Sequence, residues 1–281
     1  MTAARGYFSR DYEPVASIEP GDSVVFPCLN ARWQWNADDE DGRPEGAGHA
    51  LFGPVEIRGA RAGGTLVVHI EDVVPRPWGV TFAHGDPFRW TLDGSTWRMG
   101  AHEVAAAPFL GVIGMPPDEP GEHSTGPPRR WGGNIDCKLL VAGTTLYLPI
   151  PVDGALLMAG DGHGAQGDGE VSGTAIECPL ERASLRLELA DIELRSPIAR
   201  TGDDWLAFGF DEDLDIAAEQ ATATMLDLIE RELQIARREA LALASVAVDL
   251  HVTQIVNGAK GVHAILPAWR TSSSSPTSAR G

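Results

Sequence analysis

The 281 residues carry 22 lysines and arginines against 40 aspartates and glutamates, a formal net charge of −18. Such a surface repels nucleic acid and anionic membrane, so neither is an expected partner, while small neutral or cationic molecules are tolerated. Composition is ordinary for a globular chain (43% hydrophobic, 22% charged), with no CxxC pair among Cys28, Cys137 and Cys178, no apolar leader at the N-terminus and no run near the ~18 residues of a membrane span, so a reducing cytoplasm is the expected compartment.

The 32 glycines and 20 prolines are spread along the chain and predict many short strands joined by turns. In chain order, apolar runs bounded by these residues fall at Ser23–Phe26, Pro54–Arg58, Thr65–Ile70, Lys138–Val141, Thr145–Leu148, Gly154–Met158, Val171–Glu177 and Ala183–Leu189. Two proline-rich patches, Val74–Pro77 and Met115–Pro128, read as loops. The second is too long for a plain connection and runs directly into Gly132-Gly133-Asn134-Ile135-Asp136, which points to function. From Leu214 to Ala244 there is neither glycine nor proline. Ala218, Ala221, Met225, Ile229, Leu233 and Ala236 follow helical spacing, with a second helical piece expected from Arg237. Val246–Val256 is β-branched and reads as a late strand. The expectation is a mainly β (α+β) chain, one domain over residues 1–270 with a helical segment at about 214–245, and a polar, disordered tail at 271–281.

The segment GDGHGAQGDGE, Gly160 to Glu170, is the most unusual in composition. Gly162-x-Gly164-x-x-Gly167 matches a dinucleotide fingerprint, but that fingerprint needs a helix behind it to hold the pyrophosphate. Asp168-Gly-Glu-Val-Ser-Gly-Thr-Ala has no helical period, and the acids in the loop repel phosphate. A metal site is the stronger reading. Asp161 and His163 stand two apart and share a side of an extended segment, as do Asp168 and Glu170. Imidazole with carboxylate suits zinc, manganese or iron. A calcium loop, which needs no imidazole, and a plain exposed turn remain open alternatives. Asp136, at the head of the apolar run from Cys137 to Val141, is expected at a strand end, where chemistry is commonly placed. Cys137 follows an acid and reads as inert, and there is no GxSxG elbow for a serine nucleophile. His69 reads as a satisfied strand residue. His84 stands as a residue within reach of the site, and His263, in Gly261-Val-His, stays open.

The chain resembles the acetamidase/formamidase family over nearly its whole length. The residues that carry this are Pro20-Gly-Asp, Gly53-Pro-Val-Glu-Ile-Arg-Gly-Ala-Arg-Ala-Gly, Pro108-Phe-Leu-Gly-Val-Ile-Gly, Gly132-Gly-Asn-Ile-Asp, Leu148-Pro-Ile-Pro-Val and, most specifically, Gly154-Ala-Leu-Leu-Met-Ala-Gly-Asp-Gly-His-Gly-Ala-Gln-Gly-Asp-Gly-Glu; Ala240-Leu-Ala-Leu-Ala-Ser-Val-Ala-Val-Asp-Leu adds to them. The resemblance implies a β-sandwich-rich fold with a C-terminal helical portion, and hydrolysis of a carboxamide to a carboxylate and ammonia. Two departures are visible: Gly164 stands where family members often carry alanine, and Phe26–Asp41, with Trp33 and Trp35, is divergent.

Residue chemistry and position in these motifs together imply roles. Asp136 and His163 are expected metal ligands, with Asp161 a third ligand or the group orienting His163. The ion is expected to be zinc or manganese, with calcium the alternative. Glu170 is the expected general base, Asp168 its neighbour in the catalytic group, and Asn134, Gln166 and Trp131 the substrate-binding residues. The expected substrate is a small neutral amide such as formamide or acetamide. A bulkier or cyclic amide is the alternative within the class, and a non-enzymatic β-sandwich module holding an ion or sugar is the alternative outside it. The alanine-rich helix permits close packing and fits a homodimer or homotetramer.

Overall fold

In the strand Asp204–Asp211, Leu206 and Phe208 are buried on one face and Ala207 on the other. Successive side chains of a strand point to opposite faces, so this strand is covered on both sides. The computed structural model, which describes residues 4–268, shows by what. One face joins the main core, filled from two sheets. The other carries two helices, α1 (Leu214–Leu233) and α2 (Arg237–Ala247).

The larger sheet is antiparallel and has eight strands, in the order Asp249–Gln254, Lys260–Leu266, Asp204–Asp211, Ile198–Thr201, Thr145–Pro149, Thr65–Pro75, Leu180–Ala190 and Ser23–Cys28. The smaller has five, in the order Gly132–Asn134, Phe109–Gly114, Leu157–His163, Leu51–Ile57 and Ala16–Ile18, the last pair parallel. Leu66, Val68, Leu146, Leu148 and Leu185 from the first meet Val55, Ile57, Leu110, Ile113 and Leu157 from the second, which makes the chain a sandwich. Fully burying one such side chain contributes about 1.5–3 kcal/mol.

The helices follow from their ends as much as from their period. The Asp213 carboxylate caps α1 by accepting from the Asp215 backbone N–H at 2.8 Å. Gln234, left-handed at φ 55°, stops it. Ala217, Ala221, Met225, Leu228 and Ile229 press α1 onto Val262, Ala264 and Leu266. Among the described residues no helix is long and apolar enough to cross a membrane.

A third sheet, of four strands, is the meander Trp78–Ala83, Asp86–Asp93, Thr96–Met99 and His102–Ala105. The sequence reading missed it, because half of its residues are exposed and the apolar alternation is weak. Its one fully buried anchor, Trp97, donates its indole N–H to the Gly164 carbonyl at 3.0 Å. A Cβ on Gly164 would stand 2.5 Å from the indole, so glycine rather than alanine follows His163 because this meander clasps the strand there.

Other expectations need correction. Lys138–Val141 and Val171–Glu177 are turns, not strands. Of the first only Leu140 is buried, with Leu139 and Val141 half-buried, and Gly173, at φ 85°, breaks the second. The strand placed at Gly154–Met158 begins at Leu157 and runs on through the glycine-rich segment to His163. No helix follows it before α1, which removes the dinucleotide reading. His84 stands exposed at φ 51° in the turn of the first hairpin of the meander, so its role there is the turn. The tail at 271–281 lies outside the described residues.

Candidate functional site

The strand Leu157–His163 pairs with Phe109–Gly114, and the register puts Gly111 opposite Asp161. Asp161 and His163 stand two apart in this strand and face the same side, and Asp161 holds φ 60° there. His163 Nε2 lies 3.3 Å from Asp161 Oδ2 and 3.5 Å from Glu177 Oε1, and Nδ1 lies 3.8 Å from Asp136 Oδ1. Phe109 presents its edge to the imidazole, with ring centroids 4.9 Å apart. Gly111 is the floor of the cluster. A Cβ there would come within 2.7 Å of both Asp136 Oδ1 and Asp161 Oδ2 and 2.9 Å of His163 Cε1. Only glycine leaves this space, which explains the Phe-Leu-Gly-Val sequence better than any turn does.

Asp136, Asp161, His163, Glu170 and Glu177 are all buried. Three of the carboxylates sit on left-handed backbone: Asp136 at φ 50°, Asp161 at φ 60° and Glu170 at φ 46°. Such conformations cost of order 1–3 kcal/mol each and persist where the surroundings enforce them. Asp136 is held by the Gly111 carbonyl, which accepts its N–H at 3.2 Å, and by the Asn257 side-chain amide, which donates to Oδ2. The Ala175 backbone N–H donates to Glu177 Oε1 at 2.9 Å. Asp136 Oδ1, Asp161 Oδ1, His163 Nδ1, Glu170 Oε2 and Glu177 Oε2 are buried and lack any hydrogen-bond partner.

Electrostatics follow from that density of charge. Burial, with Asp161 nearby, pushes Asp136 up to about 7 against the pull of His163. Burial pushes Glu170 up to about 10, with the Asp136 charge adding to it. Burial acts against the charge of Asp161 too, yet His163 and His49 hold that group low, at about 2. Burial also works against His163, but Glu177 and Asp161 override it and keep the imidazole protonated well above its usual range. Two trios each bring one ligand atom per residue within 4.8 Å of the others: Asp136, Asp161 and His163; and His163, Glu170 and Glu177.

The structure therefore brings Asp136, Asp161, His163 and Glu170 together and adds three residues the sequence reading missed. Glu177 faces His163 across an isolated bridge. His49 reaches Asp161 Oδ2 at 3.8 Å, with Nδ1 and backbone N on the Thr125 hydroxyl at 2.9 and 2.8 Å. Asn257 belongs to an Asn-Gly turn, a signal that was visible but far from the motifs. Thr125 comes from the long loop 115–128, which thus supports the site. Gln166 is half-buried beside the cluster; its N–H donates to the Asp136 carbonyl at 2.7 Å and its oxygen is free. Asn134 likewise donates to the Gly126 carbonyl at 3.0 Å and leaves a buried oxygen without a partner.

Two placements differ from expectation. Asp168 does not follow Glu170 into the cluster. With Glu170 left-handed the segment is not extended, and Asp168 turns to Lys138, 2.9 Å away, and to His251 at 3.3 Å. Trp131 lines a groove of about 560 Å³ with Pro117, Arg130, Pro151 and Glu193, to which none of the cluster residues contributes. Cys137 is buried, and burial pushes its thiol up to about 12, so it is inert. His69 is engaged at Nδ1 by Thr145 Oγ1 at 3.1 Å, while its Nε2, 3.4 Å from Glu188, makes no hydrogen bond, so the expectation of a fully satisfied strand histidine holds only in part.

A profile of the acetamidase/formamidase family matches residues 100–199, which include Gly111 and all five buried cluster residues. A candidate formamidase of Schizosaccharomyces pombe is 26% identical, the match covering 66% of this chain and 65% of that one. For the acetamidase of Mycolicibacterium smegmatis the values are 22%, 58% and 60%. The chain thus spans less than two thirds of the length of these curated relatives. The crystal structure of an acetamidase from Bacillus halodurans superposes with a TM-score of 0.86 at 30% identity, covering 92% of this chain and 93% of that one. With fold, motifs and the cluster's carrier strands all in agreement, the chain belongs to the acetamidase/formamidase family.

Proposed function

We propose that the chain is an amide hydrolase and that the cluster around His163 is its active site, acting with a bound divalent cation on a small neutral amide such as formamide or acetamide. The observation that carries this reading is four buried carboxylates gathered on one imidazole, with five polar atoms left unpartnered. Burying several carboxylates together is costly unless positive charge is supplied, and one imidazolium does not balance four acids. The donor set fits a cation: Asp136, Asp161 and His163 would hold it, and zinc or manganese suits one nitrogen among oxygens. Such an ion, when bound, offsets the acids, acidifies water and polarises a carbonyl.

The chain's own groups do the rest. Glu170 exchanges a proton at Oε2, the oxygen without a partner. It takes one from the attacking water and passes it to the amide nitrogen as the carbon–nitrogen bond breaks, leaving carboxylate and ammonia. Burial strengthens its hold on a proton, and a cation bound beside it would bring that hold down far enough for the carboxylate to stand free to accept one from water. The free oxygens of Gln166 and Asn134 accept the N–H groups of the substrate amide. His49, Gln166 and Asn257, which touch Asp161 and Asp136, are half-buried and are the partly exposed neighbours of the cluster.

Ammonia release from formamide, acetamide, propionamide and one lactam, before and after chelation and after resupply of zinc or manganese, tests the reading. Activity that falls on chelation and returns with metal supports it, and the panel gives the substrate size. Absence of ammonia from every amide under every metal contradicts it and favours an ion-binding module.

A further inference from the structure

The strands Asp249–Gln254 and Lys260–Leu266 pair so that His251 lies directly across from His263. The two imidazoles stack, with centroids 5.2 Å apart and planes within 12°. His263 is fully buried. Its Nδ1 is 2.8 Å from the Thr253 hydroxyl, and its Nε2 has no hydrogen-bond partner. His251 Nδ1 lies 3.3 Å from Asp168 Oδ2. One ligand atom from each of Asp168, His251 and His263 lies within 4.8 Å of the other two. This trio shares no residue with the cluster around His163.

We propose that Asp168, His251 and His263 form a second cation site, built for a borderline transition ion such as zinc or cobalt(II). Two imidazole nitrogens and one carboxylate oxygen select such ions over calcium or magnesium, which take oxygen donors. The His263 ring is oriented as in a ligating histidine: with Nδ1–H donating to the Thr253 hydroxyl, the tautomer the site requires, the lone pair of Nε2 is free. Burial holds this imidazole neutral, down at about 4, so it stays a ligand rather than a cation at neutral pH. Lys138 Nζ, 2.9 Å from Asp168 Oδ2, is the competitor. Its side chain is about one-third exposed and is free to turn outward when an ion takes its place. The site is a fastener. Gly169, between Asp168 and Glu170, already donates to the Thr253 carbonyl at 3.0 Å and accepts from the Ile255 N–H at 3.2 Å. An ion on Asp168 ties the segment bearing Glu170 more firmly to the eight-stranded sheet.

The test is a cobalt(II) titration of the chelated full-length protein, read by visible absorption and by metal per chain after gel filtration. The expected result is two equivalents for the wild type, one of them lost in His163→Ala and the other in His251→Ala. Thr253→Val, nearly isosteric, lowers the affinity of the equivalent lost in His251→Ala by about 10- to 100-fold. Lys138→Met raises that same affinity, because the competing ammonium is gone. A wild type whose only equivalent disappears in His163→Ala overturns the second site and leaves the amide hydrolase standing. Equal affinities in wild type, Thr253→Val and Lys138→Met overturn it as well.

Discussion

Two clusters flank the segment from His163 to Glu170. Around His163, four carboxylates crowd one imidazole in a fully buried interior. Around His263, one carboxylate stands between a lysine and two imidazoles at an edge where His251 is 40% exposed. The first cluster meets its surplus of negative charge by binding protons, with Glu170 raised to about 10 and Asp136 to about 7. The second is balanced by Lys138 and keeps His263 neutral. The contrast teaches where reactivity is stored. A site whose charges are unbalanced without an added ion gains most from binding one, and its groups then sit poised to exchange protons. A balanced site gains mainly rigidity.

The largest effect should come from removing the imidazole of the first cluster. His163→Ala is expected to lower kcat/KM for formamide by on the order of a thousandfold, the upper range for losing one group that stabilises developing charge. Steady-state kinetics with ammonia detection measures it. Asn257→Ala, which frees Asp136 Oδ2, should cost about 10- to 100-fold in metal affinity or activity, as loss of an orienting partner does. Isothermal titration with zinc distinguishes this from a change in substrate binding. Gly111→Ala pushes a methyl against two carboxylates and should destabilise the fold by about 1–3 kcal/mol, read by urea denaturation. A stability equal to wild type contradicts the cluster geometry.

The smallest effect is a pH dependence set by the first cluster and partly offset below pH 6.5 by His263, whose burial keeps it neutral. Glu170 and Asp136 have folded-state values above their ordinary ones, 4.5 and 3.8, so the stability they contribute is full below those values and is lost as pH rises toward about 10 and 7. His163, also raised, acts in the same direction, losing its contribution as pH climbs above 6.5. Asp161, held low, contributes throughout and loses its share only as pH falls toward about 2. Chelated protein should therefore melt several degrees higher at pH 5.5 than at pH 8.5. Glu170→Gln should flatten that difference, and a Tm that rises with pH in chelated wild type contradicts these directions.

Much of this was legible in the sequence because it depends on local order. The helices announce themselves by a stretch without glycine or proline, and Asp161 and His163 by a spacing of two. Glu177, His49 and Asn257 were not legible, because each reaches the cluster from a different part of the fold: a turn, the start of a strand, and the Asn-Gly turn before the last described strand. Asp168 misled for a related reason. A spacing of two predicts a shared side only on extended backbone, and φ 46° at Glu170 sends the two carboxylates to different clusters. Gly164 looked like a departure and is a packing solution, set by an indole 67 residues away in a meander whose exposed strands carry little signal.

The most direct measurement is ammonia release from formamide and acetamide by wild type, His163→Ala and His251→Ala, assayed side by side in metal-supplemented buffer. Chemistry at the first cluster predicts loss of turnover in His163→Ala and activity within about tenfold of wild type in His251→Ala, whose contacts are with Asp168 and His263 and not with the first cluster, so that it loses less than the roughly 10- to 100-fold of an orienting partner. Turnover that survives in His163→Ala and vanishes in His251→Ala would place the reaction at the second cluster and contradict the account.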